Sequence, residues 1–245
     1  MSKFAPAAPP SSVSASSIYN DVKDIGGWLL PEEATALYEL AHQFGDVILE
    51  VGTFRGRSAT VLVKGALSKH RQQPPQLFSL DINPKSKLVA REILGRRLSK
   101  RAIFFHGTLS DFRRQFPITP TMAFIDGDHS YEGVAADLAE LSTLLPPNIP
   151  VVFHDYLNPN TPGVATAVDG WCKKGSAAKV RTFGCSVEVR TTTLCTGQNR
   201  AYSEAAFSTA RREDVSRLSF REIAAIRMPW LVPIVRKLRG AMPGN

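Results

Sequence analysis

The sequence is poor in cysteine: Cys172, Cys185 and Cys195 are the only three in 245 residues. Their odd number and the absence of a Cys-x-x-Cys pair exclude a disulfide scaffold and a cysteine-based zinc site, and point to free thiols in a reducing compartment. No uninterrupted apolar run is long enough to span a bilayer, and the N-terminus lacks the apolar stretch of a signal peptide. A cytoplasmic protein is therefore expected. With 43% hydrophobic and 21% charged residues the chain falls among ordinary globular proteins. Its length predicts one α/β domain with added segments at its ends.

Acidic residues are also in deficit, 22 against 30 Lys and Arg, for a formal net charge of +8. As a bulk figure this suggests nucleic acid or an anionic membrane as partner. The excess is localised, however. Residues 85–114 hold nine basic and two acidic groups, and residues 199–245 hold nine and four. These stretches carry +7 and +5, so the remainder carries −4. The body of the protein is mildly acidic.

Residues 1–17, rich in Ala, Pro and Ser with Lys3 as the only charge, read as a flexible leader. A domain is expected over 18–195 and a basic helical appendage over 196–245. A helix starts at Pro31, with Glu32 and Glu33 near its positive end and Ala34, Leu37, Leu40, Ala41 and Phe44 on one face. Short apolar runs follow at Val47–Val51, Leu77–Leu80, Ile103–Phe105, Met122–Ile125 and Ile149–Phe153, each short enough to be a strand buried on both faces. Helical patterns at 57–69, 84–98, 110–116 and 130–145 separate them. This alternation predicts a doubly wound, Rossmann-like α/β fold with a mainly parallel sheet. Residues 163–173 give a further helix. Val180–Phe183 and Ser186–Thr192 read as two closing strands paired antiparallel at the sheet edge. Segments 203–227 and 229–239 are expected to be helical. In the second, Trp230, Leu231, Ile234, Val235 and Leu238 oppose Arg236, Lys237 and Arg239, a pattern for packing on the domain or a second subunit, or for a membrane surface.

In such a sheet, ligands bind outside the carboxyl ends of the strands. The first strand runs into Glu50-Val51-Gly52-Thr53-Phe54-Arg55-Gly56-Arg57-Ser58, a turn whose glycines let backbone approach a ligand. The second ends at Asp81, where a carboxylate can accept from the vicinal hydroxyls of a ribose. A Gly-x-Gly-x-x-Gly fingerprint is missing, which disfavours a dinucleotide and suits a nucleoside without phosphate. The fourth strand ends Phe124-Ile125-Asp126-Gly127-Asp128-His129-Ser130-Tyr131-Glu132 and the fifth ends Val152-Phe153-His154-Asp155-Tyr156. Asp126 and Asp155 would converge in one crevice, repelling one another unless a proton or a hard cation such as Mg²⁺ intervenes. His129 is placed to act as general base. Asp128 reads equally as a cap for the helix beginning near Ser130, and His154 as filler beneath the crevice.

These motifs, with the late Phe183-Gly184-Cys185-Ser186, resemble class I S-adenosylmethionine-dependent methyltransferases, in particular the subgroup with macrolide-sugar O-methyltransferases and cephalosporin hydroxylase-like proteins. The resemblance covers about residues 27–192, and Ile-Asp-Gly-Asp-His-Ser-Tyr is its most specific part. It implies a seven-stranded sheet with an antiparallel last strand. It implies S-adenosylmethionine bound by Glu50, Gly52, Thr53, Gly56, Ser58, Asp81, Ser110 and Asp126, with the His106–Asp111 loop near the adenine. It also implies a metal, Mg²⁺, on Asp126 and Asp155, with His129 as base. Where related catechol-type enzymes have Asn after the second Asp, this sequence has Tyr156, leaving Glu50, His129 and Asn158 as candidates for a third ligand.

The expected function is metal-assisted O-methylation of a small-molecule hydroxyl, on a sugar or secondary-metabolite-like acceptor, with no nucleic-acid partner. The C-terminal helix would supply a peripheral membrane or homo-oligomer contact. Three rivals are distinguishable. A dehydrogenase would bind NADH, a nucleic-acid methyltransferase would show steeply salt-dependent affinity, and a non-catalytic membrane- or glycan-associated module would bind without turnover.

Overall fold

The computed structural model describes residues 15–70, 72–192 and 204–216. Helix α1 (Ala15–Asn20) precedes α2 (Pro31–Phe44), and the sheet begins with β1 (Val47–Val51). There follow α3 (Arg57–Leu67), β2 (Gln76–Asp81), α4 (Ser86–Leu98), β3 (Ala102–His106), α5 (Leu109–Gln115), β4 (Met122–Ile125) and α6 (Tyr131–Leu144). The chain continues through β5 (Pro150–Phe153), α7 (Pro162–Lys173), β6 (Ala177–Phe183), β7 (Ser186–Thr191) and α8 (Glu204–Ser216). The strands form one seven-stranded sheet in the order β3-β2-β1-β4-β5-β7-β6. Strands β1 to β5 pair in parallel, and β7 runs antiparallel to both β5 and β6.

The side-chain period of a strand divides the core into two layers. Ile48, Leu77, Phe104, Phe124 and Val152 face a layer built with α1 to α4. Leu49, Phe78, Ile103, Ile125 and Phe153 face the opposite layer, built with α5 to α8. The strands of the sheet centre are buried on both faces, which is why they read as unbroken apolar runs. The edge strand β6 is exposed along most of its length.

Three expectations are revised. Residues 15–17, read as the end of a leader, belong to α1, and Ile18 of that helix is buried against the α2 layer. Helix α4 is interrupted by Gly95, whose dihedrals (φ 64°, ψ 177°) leave the helical region. The first helix of the basic C-terminal stretch is an integral part of the domain: Phe207 is fully buried, edge-on to Phe78 at 5.6 Å, and Arg101 forms a bidentate ion pair with Glu204. The expected helix at 229–239 and Cys195 lie outside the described residues.

Candidate active site

Strand order reverses between β1 and β4, and that switch point opens the crevice in which such sheets bind ligands. Gly52 is needed there for two reasons. Its φ is +99°, and a β-carbon would stand 2.0 Å from the Asp126 carbonyl oxygen. The turn after β1 therefore presses directly on the turn after β4.

Beneath the first turn lies a buried polar chain. The Thr53 hydroxyl donates to Ser79 Oγ at 2.6 Å, and Ser79 donates in turn to the Glu50 carboxylate, which Ser58 also approaches. Glu50 is 0% exposed and its Oε1 has no hydrogen-bond partner among the described residues. Burial, opposed by the two serines and reinforced by Asp126 and Asp81, raises its pKa to about 7. Glu50 and Thr53, expected to touch a cofactor, thus point their side chains under the turn. They act on the crevice through the turn's shape and their field.

Asp81 sits at the rim with one oxygen accepting from Phe54 N and the other from Asn83 N, both at 2.7 Å. Each carboxylate oxygen keeps a second lone pair for a ligand hydroxyl. Gly56 caps α3. Ser110 stands apart: its hydroxyl accepts from Arg114 one turn along α5, and no described bond joins it to Asp81 or the glycine turn.

At the ends of β4 and β5 four side chains converge. His129 Nε2 lies 3.2 Å from Asp126 Oδ1 and 3.4 Å from Asp155 Oδ2. His154 Nδ1 lies 3.2 and 3.3 Å from the same two oxygens. Asp155 turns back toward Asp126 through a left-handed backbone (φ 57°), a conformation Asp tolerates better than most residues. Its other oxygen accepts from Asn158 Nδ2 at 2.9 Å. Asp128 is a structural residue, accepting from Ser130 N at 2.8 Å while Ser130 caps α6.

The sequence reading missed the partner behind this cluster. His154, 5% exposed, is held from the far side by Glu33 at 3.3 Å. Glu33 is itself fully engaged: Leu30 N donates to one oxygen, and Cys185 N and Ser186 Oγ donate to the other. Burial alone would lower the His154 pKa, but Asp126 and Glu33 override it and push it up to about 11. Asp126, which burial alone would raise, is held below the usual carboxylate range by the two imidazoles. His129 is raised, chiefly by its hydrogen bond to Asp126.

The same cluster fits a divalent ion. Asp126, His154 and Asp155 offer ligand atoms all within 4.8 Å of one another. His154 Nδ1 is buried and, despite its closeness to both carboxylates, makes no hydrogen bond of good geometry among the described residues. Two hard oxygens and one imidazole nitrogen form a donor set for Mg²⁺ or a first-row metal. His154 joins Glu50, His129 and Asn158 as a candidate for a third ligand.

Residues 49–156 match the family model described as "Methyltransferase domain". The matched stretch runs from β1 to the end of β5 and holds the crevice. No curated protein sequence matches it. Among solved structures, an O-methyltransferase from Bacillus cereus in complex with SAH superposes with a TM-score of 0.57 at 18% identity, covering 75% of this chain and 92% of that one. An O-methyltransferase of Streptomyces achromogenes involved in tomaymycin synthesis, in complex with SAM, gives 0.55 at 17% identity over 73% and 87%. A TDP-rhamnose 3'-O-methyltransferase of calicheamicin biosynthesis gives 0.54 at 18% identity over 64% and 76%. The basic stretch at 85–101 lies on α4 and the turn after it, and Arg113 and Arg114 are committed to Glu140 and Asp111.

Proposed function

We propose that this protein transfers a methyl group from S-adenosylmethionine to a hydroxyl of a small molecule. The observation that carries the reading is the convergence of Asp126, His129, His154 and Asp155 beside the glycine turn, in a crevice dominated by acids that suits a cationic cofactor. Asp81 would take the ribose hydroxyls and the turn from Gly52 to Gly56 the remainder of the cofactor. When bound, S-adenosylmethionine supplies an electrophilic methyl carbon and departs as the neutral thioether. A divalent ion on Asp126, His154 and Asp155 would supply Lewis acidity that lowers the acceptor hydroxyl's pKa.

The chain's own residues orient the acceptor and move one proton. An acceptor hydroxyl placed where Asp126 and Asp155 converge lies within reach of His129 Nε2, which takes its proton as the oxygen attacks carbon. Glu33 fixes His154, and Asn158 fixes Asp155, so neither side chain must reorganise during the step.

Calorimetric titration with S-adenosylhomocysteine and with NADH, with and without Mg²⁺, tests cofactor and metal together. Binding of the first and not the second is expected. NADH binding alone would overturn the reading. The finer partner proposal, a peripheral contact through 229–239 in a cytoplasmic enzyme, is tested by liposome flotation of the full chain beside one ending at residue 216. Among the described residues, no helix is long and apolar enough to cross a membrane.

A further inference from the structure

Trp28 is 84% exposed, more than any other large hydrophobic side chain among the described residues. Its surroundings are built to hold it there. On one side, Arg57 donates through Nε to the Ile25 carbonyl and through Nη2 to the Lys23 carbonyl, both at 2.6 Å. Gly26 passes so close to Arg55 that a β-carbon would meet its side chain at 2.7 Å. Gly27, at φ +133°, lies against the Phe54 ring of the glycine turn. On the other side Leu29 is buried and Leu30 N is tied to Glu33, the residue that holds His154. Residues 23–30 therefore form a strap from the cofactor turn to the catalytic cluster, fixed at both ends. Trp28 is carried between those two anchors with its indole exposed.

An indole left in water forgoes the gain of apolar burial, and a clamped backbone spares a ligand the cost of ordering it. Tyr131 and Leu157, two residues beyond His129 and Asp155, are also exposed beside the cluster. The carboxylates nearby are Glu33, Asp81, Asp126 and Asp155; of the cations, the guanidinium of Arg57 is spent on carbonyls, that of Arg55 lies over the Phe54 ring at 5.6 Å, and His129 and His154 face the carboxylates.

Building on the proposed methyl transfer, we infer that Trp28 is the acceptor-binding platform: the acceptor presents an uncharged flat face to the indole, with its hydroxyl directed toward Asp126 and Asp155. Such a face is offered by an aromatic ring or by the C–H face of a sugar. An anionic acceptor is disfavoured by the surrounding carboxylates.

The test uses the full-length protein saturated with S-adenosylhomocysteine and Mg²⁺. Calorimetry measures binding of catechol, methyl α-L-rhamnopyranoside and rhamnose 1-phosphate to wild type, W28A and W28F. At least one neutral probe should bind wild type, and which of the two binds identifies the source of the flat face. Its affinity should fall about tenfold in W28A and return in W28F, as expected for loss and recovery of one stacking contact. S-adenosylhomocysteine affinity should be equal in all three proteins. The phosphorylated sugar should bind at least about tenfold more weakly than the neutral one. Equal neutral-probe affinity in W28A, no neutral-probe binding to loaded wild type, or tighter binding of the phosphate would overturn the inference. Failure of wild type to bind S-adenosylhomocysteine would instead overturn the methyltransferase reading on which it rests.

Discussion

Substituting Glu50 by Gln should raise the stability of the ligand-free protein, and by an amount that depends on pH. Glu50 is wholly buried with one oxygen unpartnered, and its pKa is raised from 4.5 to about 7. A carboxyl raised on folding favours the protonated form. Its contribution is therefore intact below about pH 4.5 and is lost as pH rises through about 7. Ionisation then costs the folded state about 1 kcal/mol near pH 5 and about 3 kcal/mol near pH 8. The neutral amide of E50Q keeps an acceptor for Ser79 and carries no charge. Urea denaturation of both proteins near pH 5 and pH 8 measures the two differences, and titrating groups remote from Glu50 cancel between them. E50Q should gain about 2 kcal/mol relative to wild type across that interval. A gap that stays constant within about 0.5 kcal/mol would refute the argument. Cofactor binding should show the opposite sign. A nearby sulfonium favours the ionised carboxyl, so near pH 7 wild type should release protons on binding S-adenosylmethionine, and E50Q should bind it more weakly.

Other consequences can be checked separately. H129A should lower turnover by about 10²–10⁴-fold while leaving S-adenosylhomocysteine affinity intact; a change within twofold would remove His129 as base. D81N, which turns an amide toward one of two backbone donors, should weaken cofactor binding by about tenfold or more, and calorimetry reads this directly. D155N should abolish the Mg²⁺-dependent rise in melting temperature with S-adenosylhomocysteine binding retained, and a persistent rise would move the metal elsewhere. F207A should cost about 3–5 kcal/mol in urea denaturation, since Phe207 fills a cluster with Phe78; a loss below about 1 kcal/mol would show that α8 does not seal the domain.

Much of the architecture was legible because the sheet is buried on both faces. Unbroken apolar runs such as Met122–Ile125 stand out against helices whose polar residues recur, and the acids that end those runs are conspicuous by contrast. Asp81, Asp126, His129 and Asp155 could therefore be placed by position alone. What escaped were relations across the chain. Glu33 looked like a residue for a helix start because its partners His154 and Ser186 are 121 and 153 positions away. His154 was readable as filler for the same reason, since only the fold supplies Glu33 behind it. Thr53 and Glu50 were placed in the right turn, but their side-chain direction depends on Ser79, a neighbour one strand over. Helix α1 was missed because a six-residue segment has too little pattern to separate from a polar leader.

The Glu33 bond set also bears on the order in which the protein is made. The carboxylate that steadies His154 belongs to the first long helix, whereas two of its donors, Cys185 N and Ser186 Oγ, belong to the turn before the last strand and to that strand's first residue. A nascent chain that has produced both aspartates and both histidines still lacks those donors. Glu33 must then enter the interior with one oxygen unanswered, or stay out of it. The reactive cluster is thus closed by nearly the last piece of the sheet to leave the ribosome, and a chain stopped short of residue 185 carries the right residues without the arrangement that makes them a site.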